Sequence, residues 1–297
     1  LATVPAVLPA VPGRRAGLDV AGAAAVTAGL GLAVYAIVQA PERGWGSTST
    51  VLQLGGAVLL LALFVAWQRI VRGPLMPLSV WRTPNLAGAN AAMALLGAAW
   101  IPMWYFLNLY LQQVLGYGAF PSGAALLPMT ALMMVLMVGV TGRLIARFGT
   151  KPLIVTGLVV LAGGLLVLST IDASGGFLTD VLPGSLVSAV GMSLVFIPAT
   201  MAAIGGVAPE QGGLASGIVN TTYQVGSAIG LAVMTAIATS QGAGKLGDLP
   251  SLTDGFQAAF IGAAVVALAG AVLAVVTLRT PAAATGAQGD VKEEVRA

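Results

Sequence analysis

The sequence predicts an all-α polytopic membrane protein with eight transmembrane helices, and three observations predict it. Only 8% of the 297 residues are charged while 58% are hydrophobic, against about 25% charged in a soluble domain. The apolar residues fall into eight stretches near the ~20-residue length that a helix needs to cross a bilayer. The basic residues gather on alternate connecting segments, as orientation in a membrane requires. A mean hydropathy of +0.95 excludes a cytosolic enzyme and a disordered regulator. Cysteine and histidine are both absent, which removes thiolate nucleophiles, disulfides, imidazole bases and histidine metal ligands. No cofactor, metal or covalent chemistry is expected. The net charge of +3 is read as loop charge in a membrane protein, not as an affinity for nucleic acid.

The eight stretches are justified in order by what bounds them. Gly17–Gln39 ends before Pro41 and Arg43, and Val51–Val71 closes on Arg69 and Arg72. Leu86–Gln112 follows Pro84-Asn85, and Ala119–Thr141 lies between Gly118 and Gly142. Pro152–Ile171 opens on a proline, and Leu178–Ala203 lies between Gly176 and Gly205. Leu214–Ser240 follows Gly212-Gly213, and Phe256–Leu278 lies between Gly255 and Arg279. Glycine, proline, asparagine and charge are the residues that stop helices. Placing the first connection outside puts Arg14, Arg15, Arg69, Arg72, Arg82, Arg143, Arg147, Lys151, Arg279, Lys292 and Arg296 on the cytoplasmic face. Arg43 and Lys245 alone remain outside. Both termini are therefore expected in the cytoplasm of a multi-pass cell-membrane protein. Residues 1–16 read as the remnant of a preceding helix plus a linker, and residues 279–297 as a polar, disordered tail.

Between the fourth and fifth stretches lies GRLIARFGTKP, read as a tight basic turn with Gly142 and Gly149 at its two ends. Composition alone makes it an orientation signal. Its spacing, G-x-L-x-x-R-x-G-x-K, resembles the G-x-L-x-D-R-x-G-R-K loop of the major facilitator superfamily. Gly142, Leu144, Arg147, Gly149 and Lys151 fall on the matching positions, while Ala146 stands where the family has its aspartate. YLQQVLGYGAFPSGAALLP, from Tyr110 to Pro128, is similar to a stretch of that family's fourteen-helix drug:proton antiporter branch. GGLASGIVNTTYQVGSAIGLAV, from Gly212 to Val233, resembles the same branch's thirteenth helix. The resemblance implies two linker helices over 17–71 and the C-terminal six-helix transporter half over 86–278. It also implies proton-coupled efflux of amphipathic or cationic drugs, with a gate at the Gly142–Lys151 loop. An N-terminal six-helix half would supply the coupling charge, since no acid here lies in mid-span. The alternative is a complete eight-helix membrane scaffold or assembly protein without transport of its own.

Polar residues on span faces are the candidate substrate pathway. On the seventh stretch Ser216, Asn220, Tyr223, Gln224 and Ser227 share an arc of about 100° at 100° per residue. Gly226 and Gly230 beside them permit close helix packing. Such groups either line a pathway or hold helices together. Tyr105, Asn108 and Gln112 form a second stripe towards the outer end of the third stretch, where Trp104 and Tyr105 equally suit interfacial anchoring. Met133, Met134 and Met137 suit either a soft ligand wall or ordinary packing. The fifth and eighth stretches carry almost no polar groups, which fits positions at the periphery.

Overall fold

The computed structural model describes residues 19–279; the segment 1–16 and the tail beyond Arg279 lie outside the described residues. Among the described residues eight helices are long and apolar enough to cross a membrane. They are α1 (Val20–Ala40), α2 (Thr48–Ile70), α3 (Leu86–Val114), α4 (Ala119–Phe148), α5 (Thr150–Leu168), α6 (Phe177–Ile204), α7 (Pro209–Ala243) and α8 (Leu249–Thr277). Each overlaps its predicted stretch. Three starts are capped as the sequence dictates: Asp19 accepts from the Gly22 amide, Ser47 from Thr50 and Asp248 from Ser251, each satisfying an amide that the first helical turn leaves open.

One expectation is corrected. Gly142 does not end a helix. Thr141–Phe148 is itself helical, so α4 continues through Gly142, and the chain breaks at Gly149 alone (φ 80°, ψ 175°). The reason is amphipathicity: Arg143 and Arg147 lie one helical turn apart and exposed, while Leu144 and Ile145 are half-buried beside them. No Cβ-bearing residue adopts the Gly149 conformation without strain, so this glycine is the turn.

Antiparallel α1 and α2 form a hairpin whose α1 side packs on α7. The other six helices form a bundle with α3 at its centre, against α6, α7 and α8. α5 packs on α6 and α8. The α5–α6 seam is built from glycines, Gly157 and Gly164 against Gly191 and Gly184, where added Cβ atoms would meet the facing helix. With no hydrophobic driving force between helices in lipid, close packing of this kind is what holds them together. α5 and α8 each keep one outward apolar face, with Val159 and Leu166 on one and Val265 and Val272 on the other. The opposite face of α8 is fully buried through Phe256, Phe260 and Ala267. α4 is the least buried span of the six: Phe120, Leu127 and Val138 are all exposed. Met134 is exposed with them, which removes it from the core; Met133 and Met137 are half-buried.

Four helices contain a single π-helical turn: Tyr110–Val114 in α3, Leu136–Val140 in α4, Phe177–Val181 in α6 and Thr239–Ala243 in α7. α5 and α8 are regular throughout. A π turn inserts one residue and rotates everything beyond it, so faces drawn on a regular wheel shift across these turns.

Candidate functional site

The seventh span carries the densest polar face, and the fold divides it. Gly226 and Gly230 lie directly on the backbone of α3 at Ala94 and Ala98, and Gly97 of α3 returns the contact at Tyr223 and Ser227. That seam claims two of the five polar residues. Ser227 is buried and donates back to the Tyr223 carbonyl at 2.7 Å; it serves packing. Tyr223 turns into the bundle and sets its ring edge-on to Phe196 of α6, with centroids 5.7 Å apart. Ser216, Asn220 and Gln224 remain exposed on the far side. Asn220 and Gln224 line a cavity of about 390 Å³ facing Leu30, Gly31 and Val34 of α1. Among the described residues neither amide has a side-chain hydrogen-bond partner. Both lie near the middle of a 35-residue apolar span, where an amide has no water to bond in the bilayer core.

The stripe on α3 also divides. Asn108 and Gln112 come together: the Gln112 amide donates to Asn108 Oδ1 and, at 3.3 Å, to Ser122 Oγ at the start of α4. These groups tie two helices. Tyr105 points elsewhere, into a cavity of about 180 Å³ with Gln113, Thr235 and Thr239 at the outer ends of α3 and α7. Pathway residues read as one stripe therefore fall into separate places, and Asn220 with Gln224 is the pair still free to meet a ligand.

The Gly142–Lys151 segment places Arg143 and Arg147 on an exposed helical face, with the Arg147 guanidinium over the Phe148 ring at 5.2 Å. Lys151 behaves differently. Its ammonium donates to the carbonyls of Val275 at 2.8 Å and Leu278 at 2.6 Å, which are the open carbonyls at the end of α8. A cation is stabilised there by the helix dipole as well as by the two bonds. Asn85 completes the knot. It sits in the left-handed conformation (φ 66°), which asparagine tolerates. Its side chain donates to the Arg279 carbonyl at 2.9 Å and accepts from the Arg279 amide at 2.7 Å. The starts of α3 and α5 and the end of α8 are thus fastened together.

Sequence reasoning missed that clasp, because Asn85 and Arg279 are far apart in the chain and carry no motif. It also missed Asp19, which carries no motif and lies outside mid-span. Asp19 accepts from Gly22, from Trp67 Nε1 at 2.9 Å and from Gln68 Nε2 at 2.7 Å. Gln68 in turn accepts from the Met76 amide at 3.0 Å. Bonds from Gly22 first, then Gln68 and Trp67, hold the Asp19 carboxyl below the usual carboxylate range. At the opposite end Tyr110 donates to the Asp172 carbonyl at 2.7 Å, and Gln257 to that of Ile171 at 2.6 Å. No group of three or more metal-binding acids occurs among the described residues.

Known proteins share this sequence. The profile of the Major Facilitator Superfamily matches residues 131–297. A cephamycin export protein of Amycolatopsis lactamdurans is 36% identical over 88% of this chain and 54% of its own length. A puromycin resistance protein of Streptomyces alboniger is 33% identical over 80% of this chain and 47% of its own length. A multidrug resistance protein of Mycobacterium tuberculosis is 32% identical over 75% of this chain and 41% of its own length. The chain spans about half the length of the curated relatives it matches. With eight apolar spans, a glycine-built helix seam and a profile match across more than half its residues, the chain belongs to the Major Facilitator Superfamily.

Proposed function

We propose that this chain is the drug-facing portion of a proton-coupled efflux transporter of the fourteen-helix branch. In this reading α1 and α2 are the linker helices of segment 17–71. α3 to α8 form the C-terminal six-helix half over 86–278, and both termini face the cytoplasm. Transport in such folds rocks one repeat half against the other around a midplane site. The N-terminal half then supplies the proton-coupling charge, since the mid-span polar groups here are neutral. The substrates are amphipathic or cationic drugs, in keeping with the export and resistance proteins among its relatives. The Gly142–Lys151 segment acts at the cytoplasmic gate, with Gly149 as its pivot.

One observation carries this reading: Asn220 and Gln224 stand exposed and unbonded near mid-span, beside an apolar cavity. An amide in that position bonds a ligand without the desolvation cost of a buried charge. The test is resistance profiling in a cell that carries the transporter with both halves. Asn220→Ala and Gln224→Ala are expected to alter the relative resistance to different drugs by roughly 3–10-fold, the worth of a hydrogen bond, at unchanged membrane abundance. A uniform fall that tracks abundance would mean the pair only holds helices together.

A further inference from the structure

The cavity beside Asn220 and Gln224 does not end there. A larger apolar trench of about 600 Å³ runs between the α1–α2 hairpin and α7. Leu30 and Thr221 line both spaces, so the two adjoin. At its shallow end the trench is bounded by Met76 and Trp81 of the α2–α3 connection and by Gly213 in the first turn of α7. The Asn85, Lys151 and Asp19 clasps lie at that same end of the bundle. From there the trench descends along α7 for about two helical turns before it reaches the first amide, Asn220.

Its lining decides the occupant. Every residue around both spaces is uncharged. A phospholipid headgroup would require a cation at the shallow end; the trench is lined there by Trp81 and Met76, while Arg69 lines a separate space that borders it along Leu61 and Val65, so phospholipid is the competing occupant that the test below addresses. A cationic drug would require a carboxylate or an aromatic cage, and the deep end offers two neutral amides, so of the amphipathic or cationic drugs proposed above this groove takes the uncharged, amphipathic ones. The polar groups along the path are hydroxyls and amides: Thr27, Thr221 and Thr222, then Asn220 and Gln224. Apolar walls with a few convergent neutral polar groups describe a small-molecule site. We infer that this groove binds uncharged, lipophilic small molecules bearing hydrogen-bonding groups, taken laterally from the bilayer leaflet at the basic end of the protein. The inference deepens the efflux reading and rests on it for its purpose. The hairpin becomes one wall of the entry route rather than a spacer between halves.

Two glycines make the test clean. A Cβ added at Gly217, in the trench, or at Gly31, in the deeper cavity, meets no atom within 4 Å. Gly217→Phe and Gly31→Phe therefore start a bulky side chain from the groove lining at positions outside the packed glycine seams. Gly163→Phe on α5 is equally unobstructed and serves as the control. The probe is Nile red, a neutral dye with a carbonyl acceptor, titrated against the full chain in nanodiscs and read by energy transfer from tryptophan. Gly217→Phe and Gly31→Phe are each expected to raise the dissociation constant at least tenfold. Asn220→Ala and Gln224→Ala should raise it several-fold, and Gly163→Phe should leave it unchanged.

Equal binding by the filled variants and the parent overturns the inference. So does tightly held phospholipid, seen by native mass spectrometry, that Nile red fails to displace and Gly217→Phe removes. A third copy-number measurement covers the remaining occupant: a filled groove that blocks association of another protein chain, with no effect on Nile red, also overturns it. Failure of the transport reading looks different. In that case Gly217→Phe abolishes dye binding while Asn220→Ala and Gln224→Ala leave the drug profile of the complete transporter untouched.

Discussion

At the scale of single residues, Asp19 shows how one carboxylate fixes an inter-helix joint. It caps α1 and gathers donors from the end of α2, so the hairpin that walls the groove is closed at its basic end by one anion. Its carboxyl is held below the ordinary range in the folded protein by Gly22, Gln68 and Trp67. The unfolded chain, with an ordinary value of about 3.9, therefore binds its proton at higher pH than the folded chain does. The sign follows: the stabilisation is complete above the ordinary value and is lost as pH falls through the depressed one. Asp172, held low by bonds from Ser174, and Asp248, held low by bonds from Ser251, act in the same direction. Thermal unfolding in detergent should thus lose stability below about pH 4 in the parent. Asp19→Asn should flatten that acid limb without abolishing it, because the other two carboxylates remain. An acid limb of undiminished slope in Asp19→Asn would show that the joint does not depend on the anion.

At the scale of elements, the spans are held by shape more than by polarity. Gly226 and Gly230 let α7 lie on the α3 backbone, and a methyl group at either would overlap Ala94 or Ala98. Backbone cannot yield as a flexible side chain does. Gly226→Ala and Gly230→Ala should each cost about 1–3 kcal/mol, the usual penalty of overpacking. Gly163→Ala, which meets open space, should be neutral or gain about 0.5–1 kcal/mol from helix propensity. Melting curves of the three variants check the contrast, and equal shifts would mean the α3–α7 seam is looser than described. The same elements show what a sequence can and cannot disclose. Eight spans were legible because twenty apolar residues in a row have few other uses. Thr141–Phe148 was not, because an eight-residue amphipathic helix with two arginines looks like a loop to a membrane-length window. The eight pathway residues were legible as polar faces, yet a helical wheel gives an arc and not its neighbour. Only packing reveals that Ser227 meets α3, Tyr223 meets Phe196, and Asn220 with Gln224 is left towards α1. The π turn at Tyr110–Val114 rotates Gln112 against Tyr105 in a way no regular wheel anticipates.

At the scale of the whole molecule, the contacts at each end test the alternation of the spans. Asn85 with Arg279, Lys151 with Leu278, and Asp19 with Gln68 tie one end together. Tyr110 with Asp172, and Gln257 with Ile171, tie the other. Those ties are mutually consistent for a strict up-and-down path, and a slip of one span would set them on opposite faces. Of the basic residues among those described, Arg69, Arg72, Arg82, Arg143, Arg147, Lys151 and Arg279 belong to the first end, whereas Arg43 and Lys245 belong to the second. A charge bias of that size supports the proposal that the first end faces the cytoplasm. The parent lacks cysteine, so single cysteines report their own side without background. Gly46 and Gly244 lie in connections of the second end, and Gly212 at the first; a Cβ at each meets no closer contact than 3.6 Å. In intact cells Gly46→Cys and Gly244→Cys should react with a membrane-impermeant maleimide. Gly212→Cys should react only after permeabilisation. Labelling of Gly212→Cys from outside, with protection of the other two, would invert the protein and put the mouth of the groove in the outer leaflet. Labelling of all three would break the alternation itself. The expected pattern leaves the trench opening among the lipids of the cytoplasmic leaflet, where a lipophilic compound that has entered a cell is first available for capture.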